Sequence, residues 1–303
     1  MTPRRHYSIP LPVREVPVGC PAFGRELILG GRTLVMGILN VTPDSFADGG
    51  LRFDAGRAVE DGLRMVEEGA DILDVGGEST RPGAEPLPLD EELRRVLVVI
   101  EKLAGRTQAV ISVDTYKSVV AREAVARGAS IVNDVSALQY DDSLAAAVAA
   151  SGAALVLMHN RGRSRDMYRE AVYDDVAGEI AGELERAIAR ATGAGIAREA
   201  IILDPGLGFA KRAEHSYRAL ASLARLASLD RPLLVGPSRK SFLKAAVGDV
   251  PPAEREWGTA AAVAASVLLG AHIVRVHGVR GMLQVARVAD RLRDPEGAAG
   301  RLS

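Results

Sequence analysis

The side chains able to do chemistry come in eight polar clusters, each at the end of a short apolar run. They are Asn40; Asp74, followed by Gly-Gly-Glu-Ser-Thr-Arg-Pro-Gly; Asp114-Thr115; Asn133-Asp134; Met158-His159-Asn160; Asp204, followed by Pro-Gly-Leu-Gly-Phe-Ala-Lys; Gly236-Pro-Ser-Arg-Lys240; and Arg275-Val-His277. Polar groups at the ends of buried strands cost free energy unless partnered, so folding alone does not explain eight of them. They divide by charge. Arg81, Arg239, Lys240 and Arg275, with His277, supply cations; Asp114, Asn133 and Asp204 supply acceptors. A carboxylate accepts two parallel N–H bonds from a flat, donor-rich edge as it does from guanidinium. The clusters therefore fit a heterocycle carrying N–H groups at one end of a site and a phosphate or diphosphate at the other. Asn40 is the candidate ligand for Mg2+, which usually binds few protein groups plus substrate phosphate. No His–Glu–His metal spacing, Walker loop or Ser–His–Asp set stands in an evident context.

The elements that position these clusters repeat one unit. Charge-free strand 34–39 is followed by a long polar loop and a helix over 55–69. Strand 72–75 precedes a helix over 89–104, strand 109–113 a helix over 116–127, and strand 131–135 a helix over 142–150. Strand 154–158 leads to a helix over 174–193, strand 201–203 to one over 214–227, strand 233–235 to two over 239–247 and 256–269, and strand 273–276 to one over 280–292. Eight strand–helix units in strict alternation predict a (β/α)8 TIM barrel of the α/β class. The competitor, a doubly wound open sheet, lacks its Gly-rich turn after the first strand. Residues 26–35, with Gly30-Gly31 as the turn, read as an N-terminal β-hairpin. Residues 1–24, with five prolines, form an extension, 25–294 the barrel and 295–303 a tail.

Bulk properties bound the function. The net charge is −1, which argues against nucleic acid and anionic membrane partners. Cys20 is the single cysteine, so there is no disulfide framework or cysteine metal site. The longest apolar stretch, 260–269, is far short of a membrane span, and nothing resembles a signal peptide, so a cytoplasmic location is expected.

Several residues admit a plainer reading. Asp114 and Asp134 could be caps. Adjacent Asn133 and Asp134 point to opposite faces, and Asn133 is the one expected inside the barrel; by the same alternation Arg275 and His277 share a face. His159 reads as a satisfied buried histidine rather than a base. Lys211 fits a surface residue at a helix start as well as a site residue. The Arg161–Arg163–Arg165 run reads as a solvated loop.

Seven segments in order, MGILNVTPDSFADGG (36–50), DVGGESTRPGA (74–84), SVDTYK (112–117), IVNDVSAL (131–138), LDPGLGFAK (203–211), GPSRKSF (236–242) and RVHG (275–278), resemble the dihydropteroate synthases. The resemblance covers about 34–293 and is specific because the motifs occur together. It implies a (β/α)8 barrel, commonly a homodimer, that joins 6-hydroxymethyl-7,8-dihydropterin diphosphate to 4-aminobenzoate with Mg2+. Catalysis would rest on Asp114, Lys240, Arg275 and His277. Pterin would meet Asp114, Asn133, Met158, Asp204, Phe209, Gly236, Lys240 and Arg275. Aminobenzoate, the molecule sulfonamides mimic in this family, would meet Thr80, Arg81, Pro82, Phe209 and Ser238. Diphosphate would meet Asn40, Thr80, Arg81, Arg275 and His277, with Asn40 on the metal. The loops at 43–50 and 79–83 would close over the site. Two positions depart from the pattern: Asn160, where the family has Met, and Gly278, where it has Asp. The alternatives are a methyltetrahydrofolate methyltransferase-like barrel and a divergent pterin binder without synthase activity.

Overall fold

The computed structural model describes residues 4–12, 26–41, 55–79, 83–163, 168–169 and 171–295. Eight parallel strands form its centre: β3 (Leu34–Asn40), β4 (Ile72–Gly76), β5 (Val110–Asp114), β6 (Ile131–Asp134), β7 (Ala154–Met158), β8 (Ile201–Asp204), β9 (Leu234–Val235) and β10 (Ile273–Val276). They pair in the order β8-β7-β6-β5-β4-β3-β10-β9, and a parallel bridge between Leu203 and Leu233 joins β8 to β9 and closes the barrel. Helices α1 (Ala55–Glu67), α2 (Leu89–Ala104), α3 (Ser118–Ala126), α4 (Leu144–Ser151), α5 (Val176–Gly193), α6 (Ala213–Ala221) with α7 (Leu223–Leu226), α8 (Lys244–Val247) with α9 (Glu256–Leu268), and α10 (Val279–Arg293) follow the strands in turn.

The pleat sorts side chains into two cores. Val35, Leu39, Leu73, Val75, Ile111 and Val113 face outward into the layer shared with the helices. Met36, Ile72, Val110, Ile131, Val156, Ile202, Leu234 and Ile273 face inward and pack together at the N-terminal end of the barrel. Side chains alternate along a strand with period two. Stepping by two from each inward residue toward the C-terminal end of its strand reaches Asn40, Asp74, Asp114, Asn133, Met158, Asp204, Gly236, Arg275 and His277. One register thus makes both the apolar floor and the polar mouth.

The N-terminal hairpin is present, but its strands differ from those expected. β2 (Glu26–Leu29) pairs antiparallel with β1 (Tyr7–Pro10), not with β3. β3 is taken on both edges by β4 and β10, so it has no edge left for β2. The ribbon packs fully buried Ile9 and Leu29 against the inward floor residues, each contributing about 1.5–3 kcal/mol by removal from water. Arg4 fixes the ribbon's leading end, donating to Thr33 Oγ1 (2.9 Å) and pairing with Asp290 (3.0 Å).

The helix expected over 239–247 is only a 3₁₀ turn (Ser241–Leu243) and the single turn of α8. Its aligned dipole is correspondingly small.

Candidate active site

At the C-terminal mouth the inward side chains line one cavity. Asp114, Asn133, Met158, Asp204, Phe209, Gly236, Lys240 and Arg275 all border it, together with Val135 and Leu207. These include every pterin-site residue expected from the sequence.

Arg275 is the hub. Its Nε donates to Asp74 Oδ2 at 2.6 Å and its Nη2 to Asp114 Oδ2 at 2.7 Å. Asp74 Oδ2 also accepts from Asn133 Nδ2 at 2.9 Å. Asp74 is fully buried and takes no place in the expected site, yet it holds two residues that do. Its signal was its position, an inward carboxylate two residues before a strand end. With Nδ2 committed to Asp74, the acceptor that Asn133 can offer the cavity it lines is its carbonyl oxygen. Asp204 Oδ1 likewise accepts from Gly206 N at 2.7 Å, which leaves Oδ2 for the cavity it lines. Burial raises Asp204 above the usual carboxylate range. Burial also raises Asp114, with the Arg275 guanidinium pulling the other way. Lys240 crosses the cavity from the β9 side, its Nζ 3.8 Å from the centre of the Phe209 ring. Burial, and then the adjacent Arg275, bring its ammonium down to about 7. Three acceptors from β5, β6 and β8 therefore converge opposite two cations from β10 and the turn after β9.

Ser238 and His277 meet beside this cavity, Ser238 Oγ lying 2.9 Å from His277 Nδ1. Asn40 ends β3 in register with Gly76. Thr80, Arg81 and Pro82, and the loop segment 43–50, lie outside the described residues. So do Ser164 and Arg165.

Other expectations resolve residue by residue. Asp134 faces away from the cavity and caps the following turn, accepting from Ser136 N (2.8 Å) and Leu138 N (2.5 Å). Asp114 is no cap; it holds Arg275. Lys211 is not at the surface. It is 1 % exposed, and its Nζ sits 2.7 Å from His159 Nδ1 and 3.1 Å from Phe209 O. Burial lowers it to about 7. This lysine binds the loop after β8 to the end of β7. Gly206 lets the two approach: it sits at φ +66°, and a Cβ there would overlap His159 O. His159 is buried, held through Nδ1 by Lys211, with Nε2 3.1 Å from a Glu183 carboxylate oxygen. Arg161 is not part of a solvated loop; it pairs with Glu179 (2.7 Å) and Glu183 and lies 4.1 Å from the Tyr173 ring centre. Three fixed partners outcompeted hydration there. Asn160 is buried and points away from the cavity, donating to Tyr140 OH at 3.1 Å, so its departure from Met leaves the cavity wall to Met158.

The comparisons agree with this geometry. Residues 36–277 match the family model for pterin binding enzymes. A dihydropteroate synthase from Synechocystis sp. is 44% identical over 277 residues, covering 91% of this chain and 94% of that protein. The solved structure of Xanthomonas albilineans dihydropteroate synthase with 4-aminobenzoic acid superposes with a TM-score of 0.82 at 44% identity, covering 88% of this chain and 96% of that one. The Yersinia pestis enzyme in a sulfonamide drug complex gives a TM-score of 0.83 at 41% identity, covering 88% and 97%. With 36–277 matched to the family model and relatives at 44% identity covering most of both chains, this chain belongs to the pterin-binding enzymes, and among them to the dihydropteroate synthases.

Proposed function

We propose that the chain condenses 6-hydroxymethyl-7,8-dihydropterin diphosphate with 4-aminobenzoate, releasing 7,8-dihydropteroate and diphosphate, by dissociative substitution at the pterin methylene. The observation that carries this reading is the convergence of Asp114, Asn133 and Asp204 on one cavity that also holds Lys240 and Arg275. The acceptors suit the N–H edge of a pterin; the cations suit the oxygen-rich side of the same molecule.

In this mechanism the methylene–oxygen bond breaks first, and the electron pair leaves with diphosphate. Arg275 and His277 stabilise the charge that develops on the leaving group. The positive charge left behind spreads over the pterin ring, where Asp114, the one of Arg275's two acids that lines the cavity, stabilises it. The aniline nitrogen of aminobenzoate then forms the new bond and loses a proton to solvent. It is a weak base, so positioning contributes more than prior proton transfer. Ser238, paired to His277, and Phe209, stacked under Lys240, bound the side of the cavity from which aminobenzoate approaches; Thr80, Arg81 and Pro82 belong to the same subsite in this reading.

Mg2+ is part of the proposal. Among the described residues no group of three or more His, Cys, Asp or Glu side chains could hold a metal ion alone. The Asn40 carboxamide, a hard neutral oxygen at the mouth, fits an ion that takes its other ligands from diphosphate and water. When bound, the ion supplies further charge neutralisation for the leaving group. A second copy of the chain is proposed on the α9–α10 face. Trp257 near the start of α9 is 88 % exposed, Ala261 one turn later in α9 is exposed, and Val288 and Leu292 in α10 are exposed too. A cytoplasmic location belongs to the same reading; no described helix is long and apolar enough to cross a membrane.

The test is diphosphate release on mixing both substrates with Mg2+. Release matched by dihydropteroate, and suppressed by a sulfonamide competing with aminobenzoate, is expected. Pterin bound without diphosphate release sinks the synthase reading in favour of a divergent binder.

A further inference from the structure

Gly278 follows His277 directly, at φ −92°, a conformation open to any residue. The backbone therefore does not demand glycine there. Space does: a Cβ at 278 would overlap Oε1 of Glu256. The place of a side chain at 278 is filled by a carboxylate from another element, the first residue of α9.

The other oxygen of that carboxylate, Oε2, accepts from Arg239 Nε at 3.0 Å. Arg239 needs holding. Its φ is +58°, in the left-handed region that a branched or bulky side chain adopts at a cost. The start of α9 grips it at three points. Besides Glu256 on the guanidinium, Thr259 Oγ1 accepts from Arg239 N at 3.0 Å, and Arg255 Nη1 donates to Arg239 O at 3.0 Å. The residues on either side of Arg239 are Ser238, bonded to His277, and Lys240, in the cavity over Phe209.

We infer that Glu256 is a positioning residue for the site: by occupying the space above Gly278 while pairing with Arg239, it locks the turn after β9 to the turn after β10 and so sets the Ser238–His277 pair. It touches no substrate in this account and acts through Arg239. The inference rests on the synthase reading for its effect on turnover, but not for its effect on geometry. The glycine at 278 and the glutamate at 256 form one device, and neither works without the other.

Three variants test it. Glu256→Ala removes the carboxylate. Gly278→Ala keeps it but displaces it, and because the overlapping atom is the end of a flexible side chain the fold survives. The double variant Glu256→Ala/Gly278→Asp restores a carboxylate to the same space from the opposite wall. The readouts are kcat, the KM for each substrate, the melting temperature, and the NMR resonances of the His277 ring, which report its hydrogen bond whether or not turnover occurs. Both single variants are expected to shift the His277 resonances and lower kcat about 10–100-fold, the scale of a small misplacement in a site, with melting temperature and pterin affinity held. The double variant is expected to recover most of the loss. Unmoved His277 resonances in either single variant, or a double variant no better than Glu256→Ala, overturn the inference. Resonances that move as expected in a protein with no diphosphate release support the positioning role and sink the synthase reading instead.

Discussion

Asp74 shares one oxygen between Arg275 and Asn133, and that sharing sets the polarity of the whole cavity. Replacing it with Asn leaves a buried guanidinium half-paired. Loss of one partner of a buried ion pair costs about 3 kcal/mol or more, so Asp74→Asn is expected to lower stability by that amount in denaturant unfolding. It is also expected to weaken pterin binding, because a neutral amide oxygen shared between Arg275 and Asn133 holds both less firmly than the carboxylate. Asp204→Asn tests the deep acceptor directly. Losing a charge-assisted bond to the heterocycle is expected to weaken pterin affinity about tenfold or more in a binding titration, with the fold intact. Unchanged affinity would show that pterin does not sit against β8. Period-two reasoning could place Asn133 inward and Asp134 outward because that choice depends on the strand alone. It could not reveal that Asp74 matters more than a lining residue, since its partners lie 59 and 201 positions along the chain. Lys211 was equally illegible: a lysine ahead of a helix looks exposed, and only the fold shows His159 and Phe209 O closing around it.

At the scale of elements, the barrel's strands and their polar ends could be read from the sequence because each strand is a local apolar run followed by a local break. The ribbon could not be read in the same way. β2 was expected to pair with its neighbour across Gly30-Gly31, but that neighbour's edges belong to β4 and β10, so β2 finds β1 instead. The ribbon also has a pH-sensitive fastening. His272 is 5 % exposed; its Nδ1 accepts from Leu233 N (3.1 Å), and its Nε2 lies 3.2 Å from Arg5 O. Burial, then Arg4, lower its pKa to about 3. Between about 3 and the usual 6.5 the unfolded chain binds a proton that the folded chain refuses. Stability therefore rises with pH across that window and is lost as pH falls through it. The expected loss on acidification from pH 7 to 4 is on the order of a few kcal/mol, with the ribbon's amides losing exchange protection first. His272→Gln is expected to flatten this acid limb; a limb as steep as before would assign it to other groups.

For the whole molecule, the exposed apolar side chains on α9 and α10 set the next measurement. Sedimentation equilibrium is expected to give twice the protomer mass for the native chain, and Trp257→Glu is expected to shift it toward the monomer. A native monomer at micromolar concentration would remove the second copy from the proposal. The same helix carries Glu256 at its start, so in the proposed dimer α9 would serve the site from within and the partner from its outer side.

The ribbon across the floor has one more result. A barrel whose N-terminal end is filled by Ile9, Leu29 and the inward ring around them has a single opening. Whatever enters through the mouth must leave through it. In the proposed reading a pterin seated against Asp204 and Asn133 lies at the base of the mouth cavity, above that floor, and a second substrate arriving later stands between it and the exit. Traffic through a blind tube is sequential: the deep ligand goes in first, the shallow one follows, and the joined product withdraws with its former second substrate leading. Steady-state kinetics of the native chain are expected to show that order as a signature, written by two short strands that never touch either substrate.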